Sequence, residues 1–363
     1  MKYRGKDIMD KLRKNESNIP GFEENCFDIL RLLAGIIVLF SHSFRHFGIT
    51  KPPYLLFLTD GSTGVIILFA LSGYLTWASY DRIVKNGGSV WLFLYRRFIR
   101  IFPLYLLSAV VLIVMDILTG MDMGLAYGLR RFVNIITFAQ VSVPGGAGNG
   151  AIWSLHVEVL FYCLVPVFYW LLNNKNKKWW MCTIAIMWQF NLWDRAFLGF
   201  LNTLPFFYRF AHISNALCFL YEFLIGSMVY CHREYLLRIL GQKKIAVLLV
   251  LSFSTWFFLY EYCRIIPPFG EMHNAIFGMV IPFVTLSVGY AFGKCRLQFD
   301  ISYAMYLFHM YVITLLLKCT SGGMLWMAAS WILTIVLSFF LHYTFEKPIN
   351  RILKKTERIF QRV

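Results

Sequence analysis

Residues 26–47 read CFDILRLLAGIIVLFSHSFRHF. The stretch decides the fold, because it is long and apolar enough to cross a bilayer as a helix. It also carries Arg31 near its start and His42 near its end. A cation or an imidazole inside a span is costly unless it has a partner, so both predict function. The eleven residues from Arg31 to His42 turn a helix through about 1100°, only ~20° more than three full turns, and climb ~16 Å. The two side chains therefore lie on one face of the helix at different depths.

The composition excludes a typical water-soluble domain. Of 363 residues, 58% are hydrophobic and only 15% are charged, whereas soluble proteins average about a quarter charged residues. The net charge of +16 comes from basic clusters between apolar stretches, which predicts loops facing anionic lipids rather than binding of nucleic acid. The eight cysteines are scattered and form no CxxC pair, so we expect no disulfide framework and no metal.

The apolar pattern predicts an all-α, polytopic membrane helix bundle of about ten spans. A basic tail (residues 1–26) precedes the bundle (27–345), and a second basic tail (346–363) follows it. Residues 132–143 are read as an excursion outside the membrane, because counting them as a span would place every later basic cluster on the outer side. The predicted spans are 27–47, 62–80, 99–119, 152–172, 179–193, 213–231, 245–262, 274–292, 301–318 and 324–345.

Positive charge sets the predicted orientation. The N-terminal tail holds six basic residues before Asn15, so both termini are expected in the cytoplasm. The first span then runs outward, with Arg31 near the cytoplasmic surface and His42 near the outer one. The alternatives are that Arg31 snorkels to lipid headgroups and that His42 makes only a helix-packing hydrogen bond.

Arginines enter the third span in residues 95–105, YRRFIRIFPLY. Arg97 and Arg100 are three residues apart and share a helix face. Guanidinium groups bind phosphate in a bidentate way, so the pair predicts capture of a phosphorylated cytosolic ligand. The alternative is that they only anchor the helix at the membrane surface.

A carboxylate lies inside the fourth span, at Glu158. Ser154, Glu158 and Tyr162 are spaced to face one way on a helix. The predicted topology puts Glu158 near the level of His42, so we expect the carboxylate to orient that imidazole. The alternative is a purely structural ion pair. In the ninth span, Tyr306 and His309 share a face with Ser302, which suits packing or hydrogen bonding.

With these residues in view, the chain resembles the acyltransferase 3 family of integral membrane acyltransferases. Six motifs in order carry the resemblance. They are Arg31 and His42 with ten residues between them, FALSGYL (69–75), RRFIRIFPLY (96–105), WSLHVEVLFY (153–162), SYAMYLFH (302–309) and FEKP (345–348).

The resemblance implies transfer of an acetyl or other short acyl group from cytosolic acyl-CoA to hydroxyls of surface glycans. It implies an essential histidine at His42, essential arginines at Arg31, Arg97 and Arg100, and a role for Glu158.

The resulting hypothesis is a multi-pass enzyme of the bacterial inner membrane that needs no metal. His42 and Glu158 are the expected catalytic residues, and the three arginines are expected to bind acyl-CoA, most simply acetyl-CoA. The sequence leaves open whether His42 acts as a general base or accepts the acyl group.

The expected acceptor is a cell-surface or lipid-linked glycan, and its expected contacts come from Trp153, Ser154, Tyr306 and His309. We expect membrane lipids, but no nucleic acid, as further partners. The rival hypotheses are a transporter or flippase of a polyprenyl-linked saccharide and a scaffold subunit of a polysaccharide synthase. Sequence does not set the oligomeric state.

Overall fold

The computed structural model describes residues 20–118, 128–129, 132–133, 152–193, 217–265 and 275–352. A 3-10 segment, Pro53–Thr59, lies between the first two helices, and a π-helical turn, His342–Glu346, extends the last. The α-helices are α1 (Phe27–His46), α2 (Gly61–Lys85), α3 (Val90–Leu118), α4 (Trp153–Leu172), α5 (Lys177–Trp193), α6 (Leu220–Cys231), α7 (Arg233–Leu240), α8 (Lys243–Glu261), α9 (Ala275–Ala291), α10 (Ser302–Cys319) and α11 (Met324–Leu341).

The predicted all-α bundle is confirmed, since each of the ten predicted spans overlaps one of these helices. Residue 119 of the third span, residues 213–216 of the sixth and residue 274 of the eighth lie outside the described residues. Seven are long and apolar enough to cross a membrane: α1, α2, α3, α4, α8, α10 and α11 with its extension. Helices α6 and α9 are apolar but shorter. Ten crossings, the orientation of the termini and the tail boundaries stay predictions. Apart from residues 132–133, the ambiguous stretch 132–143 lies outside the described residues.

Contacts at two levels show that α1 and α10 run parallel. At the start of α1, Arg31 bonds to Asp300, which lies two residues before α10. Near its end, His42 bonds to His309, in the middle of α10.

Helices α2 and α4 likewise run parallel to each other, because Ser72 bonds to Glu158 and Asp81 bonds to Tyr169. Helices α1 and α2 run antiparallel, since Gly61 abuts Ser41 and Gly64, one turn later, abuts the carbonyl of Ala34. Helix α4 therefore runs opposite to α10, as predicted spans of alternating direction require.

The α2–α6 contact has no room for a side chain at two glycines. A Cβ at Gly73 would collide with the backbone of Phe223, and one at Gly226 would collide with the carbonyl of Ala70. Close approach through small residues is common between membrane helices.

We expect Gly73→Ala to destabilise the fold by about 1–3 kcal/mol, because backbone must move. Thermal unfolding in detergent measures this, and Gly128→Ala, where a Cβ meets nothing within 4 Å, is the control. Equal melting temperatures for the two variants would contradict this packing.

Candidate functional site

A cavity of about 110 Å³ opens between α1, α2, α3, α4 and α10. Arginines and acidic side chains line it together with hydroxyl groups. The charged lining residues are Arg31, Arg97, Arg100, Glu158, Asp300 and Glu346. The structure thus brings together the three predicted arginines and the predicted carboxylate.

Of the three cavity arginines, Arg31 is the one that forms ion pairs with described residues. Its Nη1 lies 3.0 Å from a carboxylate oxygen of Asp300 and 3.5 Å from one of Asp28. Asp300 also accepts hydrogen bonds from the backbone amide and the hydroxyl of Ser302. Burial raises the pKa of Asp300, but Arg31 and Ser302 outweigh it, so the net shift of the pKa is downward. Arg31 is therefore held by carboxylates and does not snorkel freely to lipid.

Arg97 and Arg100 have a different environment. The Arg97 guanidinium lies 5.7 Å from the ring centroid of Phe93 and 5.6 Å from that of Tyr162. Arg97 is only 9% exposed, and its Nε has no hydrogen-bond partner in the described part of the chain. Arg100 is exposed. Among the described residues, neither guanidinium has a carboxylate within 4.0 Å. Two cations at the cavity wall are therefore available to an anionic ligand.

Glu158 does not orient His42, contrary to the sequence prediction. Its carboxylate accepts a hydrogen bond from Ser72, with an oxygen–oxygen distance of 2.7 Å, and a short one from Tyr162. The reason is helix direction: the next turn of α4 after Ser154 leads toward the arginines, whereas α10 leads away from them toward His309. The predicted topology places Glu158 about two helical turns too far out, since Ser154 is level with Tyr306, one turn from His309, and Glu158 lies one turn further.

The partner of His42 is His309. Nδ1 of His42 lies 2.7 Å from Nε2 of His309, and the rings stack with centroids 5.0 Å apart. Nδ1 of His309 lies 2.7 Å from the carbonyl oxygen of Tyr306. A carbonyl only accepts, so Nδ1 of His309 carries its proton and Nε2 of the neutral ring accepts from His42. This leaves Nε2 of His42 with a lone pair and no partner among the described residues, which is the state that a base or nucleophile needs.

The burial of the two rings differs. His309 is fully buried, and His42 is partly exposed. Because both nitrogens of His309 are engaged, it is suited to positioning His42 rather than to binding substrate, the role that the sequence predicts for it.

The other predicted substrate contacts lie nearby. The hydroxyls of Ser154 and Tyr306 are 2.5 Å apart, and both residues line the cavity. Trp153 packs against Phe69 and Phe219, with ring centroids 6.2 and 4.9 Å away. Trp153 thus belongs to an aromatic cluster of the described core, and its stacking on a sugar stays a prediction.

Sequence reasoning misses Asp300 and the hydrogen-bonding role of Ser72. Asp300 stands just before an apolar helix with Ser302 two residues later, a pattern typical of a helix N-terminus. That pattern could mark it as the partner of Arg31. Ser72 lies among small residues, a pattern that predicts packing alone. Within the described residues, no group of three His, Cys, Asp or Glu side chains could hold a metal ion.

Comparison with known proteins adds independent information. A family model described as an acyltransferase domain matches residues 24–346. The chain is similar to nodulation protein 10 of Rhizobium leguminosarum bv. viciae, with 31% identity over 39% of this chain and 43% of the relative. It is also similar to an O-acetyl transferase of Shigella phage Sf6, with 29% identity over 40% of this chain and 46% of the relative.

The match therefore spans less than half the length of either relative. No solved structure matches.

Proposed function

The chain belongs to the acyltransferase 3 family, and from that premise we propose that it is a membrane O-acyltransferase. The proposed reaction moves an acetyl or other short acyl group from cytosolic acyl-CoA to a hydroxyl of a surface or lipid-linked glycan. The bacterial inner membrane is the proposed location. The observation that carries the proposal is Nε2 of His42, which His309 leaves without a partner among the described residues, about 16 Å along α1 from Arg31.

The arginines supply the donor site. Arg97 and Arg100 have no carboxylate partner within 4.0 Å in the described part of the chain, and phosphates provide the two negative oxygens that a guanidinium fork binds. Arg31, fixed by Asp300, contributes a further guanidinium to the lining of the same cavity. The pantetheine arm of the donor then extends along the cavity toward Tyr306 and brings the thioester to the histidine pair.

His42 performs the transfer. Nε2 takes the proton from the glycan hydroxyl as its oxygen attacks the thioester carbonyl carbon. The carbon–sulfur bond then breaks, and His42 passes the proton to the leaving thiolate. The products are an O-acyl ester and free coenzyme A. The imidazolium formed in between keeps its Nδ1 hydrogen bond to His309. A stacked neutral imidazole thus plays the part that a carboxylate plays in a catalytic triad.

Glu158 has a positioning role in this proposal. Its bonds to Ser72 and Tyr162 tie α2 to α4 beside Arg97, whose guanidinium packs on the Tyr162 ring. The Ser154–Tyr306 hydroxyl pair lies between this group and the histidines. A hydroxyl there can donate to the oxyanion that forms during the attack.

The test supplies purified protein with acetyl-CoA, radiolabelled in the acetyl group, and a panel of bacterial surface polysaccharides. Label is expected in base-labile ester linkage on one of them. Absence of transfer to every polysaccharide, together with movement of a polyprenyl-linked saccharide across vesicles, would contradict the proposal in favour of transport.

Replacing His309 by glutamine is expected to lower kcat about ten- to a hundredfold without changing the Kd of coenzyme A. Loss of a partner that orients a histidine typically has this size, and His309 does not line the donor cavity. Steady-state kinetics and calorimetric binding measure the two quantities. The control is His156→Gln, which replaces a half-buried imidazole whose Nε2 lies 3.5 Å from the Tyr105 hydroxyl. A weaker affinity for coenzyme A with unchanged kcat would contradict the positioning role.

A further inference from the structure

A second cavity, of about 490 Å³, lies where α2 ends and α5 begins, between the turn after α4 and the junction of α6 and α7. We call it the terminal pocket and define it by Asp81, Lys85, Lys175, Trp180 and Arg233. It shares no lining residue with the cavity that holds the arginines of α3. The proposed transfer reaction makes no use of it.

The acid of the terminal pocket is already engaged. The carboxylate of Asp81 accepts hydrogen bonds from Lys85 at 2.7 Å, Tyr169 at 2.8 Å and Tyr230 at 2.9 Å. These three bonds join α2, α4 and α6 and offset its charge. Asp81 therefore serves as a structural tie rather than as a ligand for a cation.

A buried donor in the terminal pocket lacks an acceptor. Trp180 is fully buried, and its indole Nε1 has no hydrogen-bond partner among the described residues. An indole nitrogen only donates, and a buried donor without a partner is costly. His232 lines the same pocket, and its Nε2 is also buried and has no hydrogen-bond partner among the described residues. The pocket is thus missing a hydrogen-bond acceptor.

Two cations belong to the lining of the same pocket. Lys175 and Arg233 line the terminal pocket and are exposed. Neither takes part in a salt bridge within the described ranges. Glu234, also exposed, is the remaining acid of the lining. An anion that accepts hydrogen bonds satisfies both the cations and the indole.

We propose that the terminal pocket is a second binding site, for a phosphate group. Phosphate offers several strong acceptor oxygens to Lys175, Arg233 and the Trp180 indole, and the volume falls in the usual range of ligand pockets. A soluble phosphate compound and the headgroup of an anionic phospholipid present the same chemistry. Because the predicted topology places this end of the bundle at the basic, cytoplasmic face, either source can reach it.

The test measures binding of radiolabelled pyrophosphate to the full chain in phosphatidylcholine nanodiscs, and in nanodiscs that also contain phosphatidylglycerol. Saturable binding that phosphatidylglycerol leaves unchanged assigns the site to soluble phosphate. Stabilisation by phosphatidylglycerol, with displacement of pyrophosphate, assigns it to the headgroup. In either case Lys175→Gln/Arg233→Gln should weaken binding at least about tenfold, as loss of charge-assisted hydrogen bonds implies.

Trp180→Phe removes the indole N–H donor but keeps an aromatic ring in the buried position. It therefore tests the hydrogen bond apart from the stability of the fold, and it should weaken binding severalfold. Trp170→Phe and Lys178→Gln, which lie outside the pocket lining, are the matched controls and should bind like the wild type. The site should also persist in Arg97→Gln/Arg100→Gln, which distinguishes it from the donor cavity. Absence of both pyrophosphate binding and a lipid effect, or pocket variants that bind like the controls, would overturn the proposal.

Discussion

Glutamine at position 42 is expected to lower kcat/KM for O-acylation by about a hundredfold to ten-thousandfold, the range that general acid–base catalysis contributes. Nε2 of His42 carries the only lone pair of the histidine pair that is left without a partner among the described residues. The glutamine side chain retains polarity and most of the volume but cannot take up the proton. Initial rates of transfer from labelled acetyl-CoA measure the effect.

The control for this variant is His46→Gln. His46 lies one turn further along α1, with its ring centroid 6.2 Å from that of His42, and its place at the end of the span predicts an interfacial side chain. Its replacement should leave the rate within about twofold, as expected for a group outside the reaction. Unchanged coenzyme A affinity in His42→Gln shows that the variant is folded. Full activity of that variant would exclude His42 from the chemistry.

Removing the positive charges at positions 97 and 100 should have the second large effect. We expect Arg97→Gln and Arg100→Gln each to raise the Kd of coenzyme A by about tenfold to a hundredfold, because a hydrogen bond to a charged group contributes roughly 1.5–3 kcal/mol. The affinity should also fall with salt in the wild type and less steeply in the variants. Calorimetric titration at two ionic strengths measures both.

Two comparisons make this prediction specific. Arg97→Lys keeps the charge but loses the planar fork, so its Kd should lie between those of the wild type and Arg97→Gln. Arg96→Gln removes a neighbouring cation that does not line the cavity, and it should bind coenzyme A normally. Equal weakening by Arg96→Gln would mean that only the general positive charge of this helix end matters.

Most of the fold could be predicted from sequence, because spans of about 20 apolar residues are set by the thickness of the bilayer. Each predicted segment contains a helix in the described part of the chain, and the parallel pairing of α1 with α10 follows the predicted alternation. Helix α5, Lys177–Trp193, is helical as predicted, but it is not among the seven helices that are long and apolar enough to cross a membrane. An apolar sequence pattern therefore predicts the helix there without establishing a membrane crossing.

Several charged residues of the site are predictable from sequence, but the pairing of its side chains is not. The cost of charge in a membrane singles out Arg31, His42 and Glu158 on the basis of sequence alone. Pairing depends on helix neighbours and on depth to within one turn, which a single sequence does not encode. Four residues along α4 separate Ser154, which bonds to Tyr306, from Glu158, and this step of about 6 Å leads toward the arginines and away from the histidines.

The measurement closest to the central claim is a double-mutant cycle on the histidine pair. The kcat/KM values of wild type, His42→Gln, His309→Gln and the double variant are compared under one condition. If His309 acts only by positioning His42, the double variant should be no slower than His42→Gln alone. If His309→Gln instead slows the His42→Gln enzyme by the same factor as it slows the wild type, the two residues act independently, and the proposed arrangement is wrong.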